Sequence, residues 1–267
     1  MKVIYQTRFS FYGQSGWRSD ASRDPGKLFD PDRLEARFAL FERYTLASLA
    51  AQGNGDFAHV ILSSEQMPAP FRHRLHRLTH DMLGGRAQVI FRPYMKAGHA
   101  FRAHIREVWG SERDVVQVVL DDDDALAGDF NAVLRYHAGC IVNNPHRHDK
   151  ATFVSFPRGL SLELDAAGLP LWLRPRNVAF TNLGLALVGP PGFMRHPYLT
   201  SHRKIGERHG HMVIGDKRPY YLRAVHASND SRAQQDRRHL EGRELAQALS
   251  YFPFLDQPLP NREQRRA

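Results

Sequence analysis

The chain has 267 residues, 42% of them hydrophobic and 24% charged, which excludes a mostly disordered or collagen-like polypeptide. A chain this long buries a core that needs no disulfide or structural metal, and the single cysteine, Cys140, excludes an internal disulfide and a cysteine-built zinc site. Lys and Arg number 37 against 28 Asp and Glu, a net charge of +9, which attracts phosphates, nucleic acids and anionic lipids without choosing among them.

The single cysteine, the lack of an apolar run near the ~20 residues of a membrane span, and an N-terminus unlike a signal peptide lead us to expect a soluble, cytoplasmic protein. Val3 to Phe9 reads as an opening strand, followed by a polar loop from Gly13 to Asp30. Pro31-Asp32 opens a helix with Leu34, Phe38, Phe41, Thr45 and Leu49 on one face. Phe57 to Leu62 and Ala87 to Phe91 read as strands, and Pro68 to Met82 and Ala100 to Trp109 as helices. Val115 to Leu120 is a nearly unbroken β-branched run, the pattern of a central strand covered on both faces. Alternation of this kind predicts a mostly parallel sheet whose ligands sit beyond the carboxyl ends of its strands.

The second half is less regular. Asp129 is a candidate cap for a helix running to Gly139. Ala151 to Phe156 and Leu160 to Leu164 suggest a hairpin or meander, Phe180 to Val188 is a further apolar segment, and Tyr220 to His226 is a late strand. The expected organisation is two halves of one domain that share a sheet, over residues 1–130 and 131–255, and a tail over 256–267.

Asp121-Asp122-Asp123-Asp124 directly follows the most buried-looking strand. Two carboxylates ~4 Å apart repel by about 4 kcal/mol at an effective dielectric near 20. A strand end in a crevice holds four only with compensation from a divalent cation or helix N-terminal amides. Oxygen-only ligation favours Mg²⁺ or Mn²⁺ completed by substrate phosphates. Alternate residues share a side of an extended segment, which pairs Asp121 with Asp123 and Asp122 with Asp124. The competing reading is a solvated acidic turn.

With these residues in view, the sequence resembles glycosyltransferases of the GT-A fold, and more closely the putative rhamnosyltransferase family of bacteria. The resemblance runs from about Lys2 to Ser231. Thr7-Arg8-Phe9-Ser10, Leu28-Phe29-Asp30-Pro31, Arg33-Leu34, Arg37-Phe38 and Leu120 to Leu126 carry it, with the late Val225-His226 and Asn229-Asp230-Ser231. It implies an α/β, GT-A-like (Rossmann-like) central sheet with a mixed α+β acceptor side. It implies a nucleotide-diphosphate sugar as donor, bound with Mn²⁺ or Mg²⁺. Thr7, Arg8 and Phe9 would lie near the base and ribose. Asp121, with Asp122, would contact donor or metal, Asp123 and Asp124 would ligate the metal, and His226 would complete the metal site. Asn229 and Ser231 are candidates for the diphosphate or for a simple turn.

A metal-dependent inverting transfer needs a general base for the acceptor hydroxyl. Asp216, beside Lys217 and Arg218, is the first candidate and Glu207 the second. Trp17 is the tryptophan best placed to stack on a sugar, Cys140 reads as a small buried residue, and His146 and His148 read as a solvated turn. The expected function is transfer of a sugar, rhamnose by the family's label, to a glycan or lipid-linked acceptor. Such an enzyme suits peripheral contact with an anionic membrane face, with no nucleic-acid partner. The competing classes are a metal-dependent nucleotidyltransferase or phosphohydrolase using the same aspartates, and a non-enzymatic binder of nucleic acid or anionic surfaces.

Overall fold

The computed structural model describes residues 1–14, 20–226 and 238–255. Strand β1 (Val3–Arg8) leads through the short helix α1 (Pro25–Leu28) to α2 (Pro31–Leu40). Asp30 caps α2 by accepting from the Arg33 N–H at 3.0 Å, and Pro31 supplies a helical φ at the first position. A π-helical stretch, Phe41–Leu46, joins α2 to α3 (Ala47–Ala50). Then come β2 (Phe57–Ser64), α4 (Ala69–Leu83), β3 (Ala87–Arg92), α5 (Ala97–Trp109) and β4 (Val115–Val119). The remainder is β5 (Ala125–Leu126), α6 (Phe130–Val142), β6 (Thr152–Ser155), β7 (Arg158–Leu164), β8 (Pro170–Asn177), β9 (Ala186–Gly189), α7 (Ile205–Arg208), β10 (His211–Val213), β11 (Tyr221–Val225) and α8 (Gly242–Leu249).

Two sheets result. The larger has seven strands in the order β10-β6-β9-β4-β1-β2-β3. All of its strands are parallel except β9, which pairs antiparallel with both β4 and β6. Both β1 and β4 are buried along their whole length, as central strands under helices on both faces must be. Strand alternation splits the core in two. Val3, Tyr5 and Phe9 pack with Leu34, Phe38 and Phe41 on the α2 side, whereas Ile4, Val60 and Leu62 pack with Phe101 and Ile105 of α5.

The smaller sheet, in the order β5-β11-β7-β8, has β11 parallel to β7 and antiparallel edges. The segments around Phe153 and Leu162 therefore do not form a hairpin. β6 belongs to the large sheet and β7 to the small one, so the chain switches sheets between Ser155 and Arg158. The large sheet draws strands from both halves of the chain. No helix among the described residues is long and apolar enough to cross a membrane. Cys140 is exposed, not buried as its size suggested.

Two histidines are fully buried. His59 Nε2 lies 2.9 Å from the Thr7 hydroxyl, and His196 Nδ1 accepts from the Tyr198 N–H at 3.2 Å. Burial pushes both down to about 3, so each stays neutral in the fold while an unfolded histidine takes a proton near pH 6.5. Stability is therefore full above that pH and is lost as pH falls towards 3, by about 2 kcal/mol for each histidine at pH 5. The melting temperature is expected to drop steadily between pH 6.5 and 4, and His196→Asn should flatten that slope. A pH-independent melting temperature over this range would contradict the burial argument.

Candidate functional site at the carboxyl end of the sheet

β4 ends at Val119, and Asp121 to Asp124 follow at the carboxyl end of the central strands, beside the end of β1. The run is held mainly by protein cations. Arg8, from the end of β1, donates to Asp121 at 2.9 Å and lies over the Tyr198 ring at 4.7 Å. Arg37, one turn from the end of α2, reaches both oxygens of Asp122 through Nε and Nη2, and Asp123 through Nη1 at 3.3 Å. His226, just beyond β11, places Nε2 3.0 Å from Asp123 Oδ2. Asp124 turns inward and accepts from the Ala224 N–H at 3.0 Å.

The four carboxyls differ in electrostatics. Burial alone would raise the Asp123 carboxyl. The Arg37 charge and the His226 hydrogen bond outweigh it and hold that carboxyl below the usual carboxylate range. Asp124 goes the other way: burial, with Asp123 and Asp121 as neighbours, raises it well above that range. Asp121 is the most open member, its side chain 29% exposed against 10% for Asp123 and 0% for Asp122.

Backbone geometry shapes the loop. The π-helical stretch turns Thr45 towards the acidic run, where its hydroxyl lies 2.8 Å from the Asp124 carbonyl oxygen and 3.2 Å from that of Asp121. Stretches of this kind often mark functional sites. Ser10, just past β1, has φ of +43°, the left-handed region that a residue other than Gly enters at a cost. Arg33 Nη1 steadies it with a 3.3 Å hydrogen bond to the serine hydroxyl. Replacing Thr45 by Val keeps the shape and removes the donor, which is expected to cost about 1–2 kcal/mol. Urea unfolding reads this, and an unchanged midpoint would contradict the anchoring role.

The structure brings some of the expected residues together and separates others. Thr7 and Phe9 are completely buried on the face opposite Arg8. Thr7 bonds His59, and Phe9 packs 4.6 Å from Phe38 and 5.2 Å from Phe41, centroid to centroid. Asp216 does not approach the aspartates. It lies ahead of β11, at the opposite end of that strand from His226, and accepts from the Tyr220 hydroxyl. Glu207 is exposed on α7, ahead of the edge strand β10. Asp129 makes no capping bond, and Arg218 takes its carboxylate at 2.6 Å. Asn229, Ser231 and Trp17 lie outside the described residues.

The four-residue metal set Asp121, Asp123, Asp124 and His226 is not assembled: among the described residues no three His, Cys, Asp or Glu side chains form a metal-binding group. Asp124 is engaged inward. Asp123 and His226 do meet, and an oxygen–nitrogen pair fits a divalent ion that takes its remaining ligands from water and substrate phosphate. Arg37 and Thr45 went unassigned in the sequence. The signal for Arg37 was its place one turn after Arg33, on a helix that starts beside the β1 loop.

Comparison with solved structures gives loose overlaps. The chain is similar to S. aureus TarS 1-349 in complex with UDP, with 12% identity, a TM-score of 0.42, and coverage of 84% of this chain and 61% of that one. It is also similar to a putative nucleotide-diphospho-sugar transferase from Desulfovibrio desulfuricans G20, with 9% identity, a TM-score of 0.37 and coverage of 84% and 81%. A third is the galactosyltransferase LgtC in complex with donor and acceptor sugar analogs, with 11% identity, a TM-score of 0.33 and coverage of 78% and 64%. The chain spans about three fifths of the length of the TarS 1-349 chain. Identities and TM-scores this low bear on neither activity nor substrate. No curated protein matches the chain. The family model described as Putative rhamnosyl transferase matches residues 2–238. That span takes in every strand from β1 to β11 together with the aspartate run, and the chain belongs to this family.

Proposed function

We propose that the chain is a nucleotide-sugar-dependent glycosyltransferase whose donor diphosphate binds at the Asp121–Asp124 run, with rhamnose as the transferred sugar that the family's description suggests. The observation that carries this reading is the Asp123–His226 pair, 3.0 Å apart at the carboxyl end of β4. Ligands of parallel α/β sheets gather at such strand ends.

In this reading Asp121, the open carboxylate, meets the donor's ribose hydroxyls or the metal. Asp123 and His226 would hold a Mn²⁺ or Mg²⁺ ion. Bound there, the ion would offset the negative charge that builds on the leaving diphosphate. Arg8 and Arg37 hold the side chains of Asp121, Asp122 and Asp123 in place before the ligand arrives, so the site does not have to reorganise when charge develops. Asn229 and Ser231 follow His226 in sequence and extend the diphosphate contacts. The acceptor offers a hydroxyl of a glycan, lipid-linked where the basic surface meets an anionic membrane. In an inverting transfer its proton passes to a general base beside the acceptor.

The test is release of nucleoside diphosphate from uridine, guanosine and thymidine diphosphate sugars, rhamnose donors included, with Mn²⁺ and glycan acceptors. One donor is expected to turn over, and His226→Ala is expected to lower its turnover at least tenfold. Phosphate release from simple phosphate esters, with no turnover of any sugar donor, would instead identify a phosphohydrolase.

A further inference from the structure

A cavity of about 610 Å³ opens at the other end of the small sheet. It lies between the start of β7, the end of β8, the segment entering β11, and α8. Strand β11 separates it from His226 by its full length, roughly 17 Å. The volume is that of a small-molecule site.

Its wall is basic. Arg158, Arg176, Lys217, Arg218 and Arg238 line it, with Asp216 and Glu244 as the carboxylates. Both carboxylates are already engaged: Asp216 accepts from the Tyr220 hydroxyl, and Glu244 pairs with Arg238 at 2.7 Å. Arg218 is fixed by Asp129 and lies over the Tyr220 and Tyr251 rings at 4.5 and 5.2 Å. Arg158 and Lys217 are exposed and pair with no carboxylate among the described residues. The Nε atoms of Arg176 and Arg218 are buried with no hydrogen-bond acceptor among the described residues. Buried donors without acceptors are uncommon and costly. Leu160, Leu240, Ala248 and Tyr251 give the same cavity an apolar side.

We propose that this cavity is a second binding site, separate from the aspartates, for an organic phosphate: a phosphate ester whose anion meets the arginines while its apolar group lies along Leu160, Leu240 and Tyr251. Guanidinium groups match phosphate oxygens in paired hydrogen bonds. An apolar side beside them selects an ester over the bare ion. The assignment does not depend on the transferase reading.

The experiment is calorimetric titration of the full chain with n-octyl phosphate, inorganic phosphate and a neutral octyl ether, each below its micelle concentration. Octyl phosphate is expected to bind at least tenfold more tightly than inorganic phosphate, and the ether not measurably. Arg158→Glu with Lys217→Glu, both exposed, should weaken octyl phosphate at least tenfold without shifting the melting temperature. Asp123→Asn should leave it unchanged. Should the double variant melt early, Arg158→Gln replaces it, with about a threefold loss expected. Absence of octyl phosphate binding, equal affinity for inorganic phosphate, binding of the ether, or indifference to the charge changes would each overturn the proposal.

Discussion

Replacing Arg37 with Met is expected to destabilise the protein by about 3–5 kcal/mol, the cost of leaving a buried charge without its partner. The Asp122 side chain is fully buried, and Arg37 reaches both of its oxygens. Methionine fills much of the same volume but offers no donor, so the carboxylate keeps its desolvation cost and loses its compensation. The effect should spread to Asp123, which Arg37 also holds. Urea unfolding measures the loss. Arg37→Met combined with Asp122→Asn should recover much of it, because removing both charges is far milder than removing one. A loss below about 1 kcal/mol in the single variant would mean that the acidic run is stabilised from elsewhere.

The second large effect is expected on activity. Asp123→Asn preserves shape but removes the charge that joins Arg37 to His226. Turnover of the active donor is expected to fall by about 100- to 1,000-fold, the scale seen when one electrostatic contributor is lost from a preorganised site. Stability should change far less than with Arg37→Met, because the amide oxygen still accepts from Arg37 and Asp122 keeps its partner. Steady-state kinetics beside urea unfolding separates the two effects. Equal loss of stability and activity would make Asp123 a structural residue and not a functional one.

Much of the large sheet was legible in the sequence. β1 to β4 are rich in apolar and β-branched residues with only scattered polar ones between them, and the helices between them show their apolar spacing plainly. β8 was not legible because Pro170, Pro175 and two arginines interrupt its pattern; as the edge of the small sheet it needs neither full pairing nor an apolar face. β10 has three residues, also on an edge. The placement of β6 and β7 in different sheets lies in long-range pairing that no local pattern records.

At the site, the aspartates stood out because four adjacent carboxylates after a buried strand demand compensation. The compensating groups did not stand out. Arg37 is 85 residues from Asp122 in the chain. Thr45 looked like one more position on an apolar helix face until the π-helical stretch turned its hydroxyl to the loop. Strand alternation already separates Thr7 and Phe9 from Arg8. On a strand they share one face and Arg8 takes the other, so the three could never have met one ligand from the same side.

The central claim is that the Asp121–Asp124 run is a donor-diphosphate site. Its most direct test is calorimetric titration of the wild-type chain and Asp123→Asn with uridine, guanosine and thymidine diphosphates, with and without Mn²⁺. The account predicts that one diphosphate binds the wild type, more tightly with Mn²⁺, and that Asp123→Asn weakens it at least tenfold. Binding that is indifferent to both Mn²⁺ and Asp123, or no binding of any of the three, would contradict it.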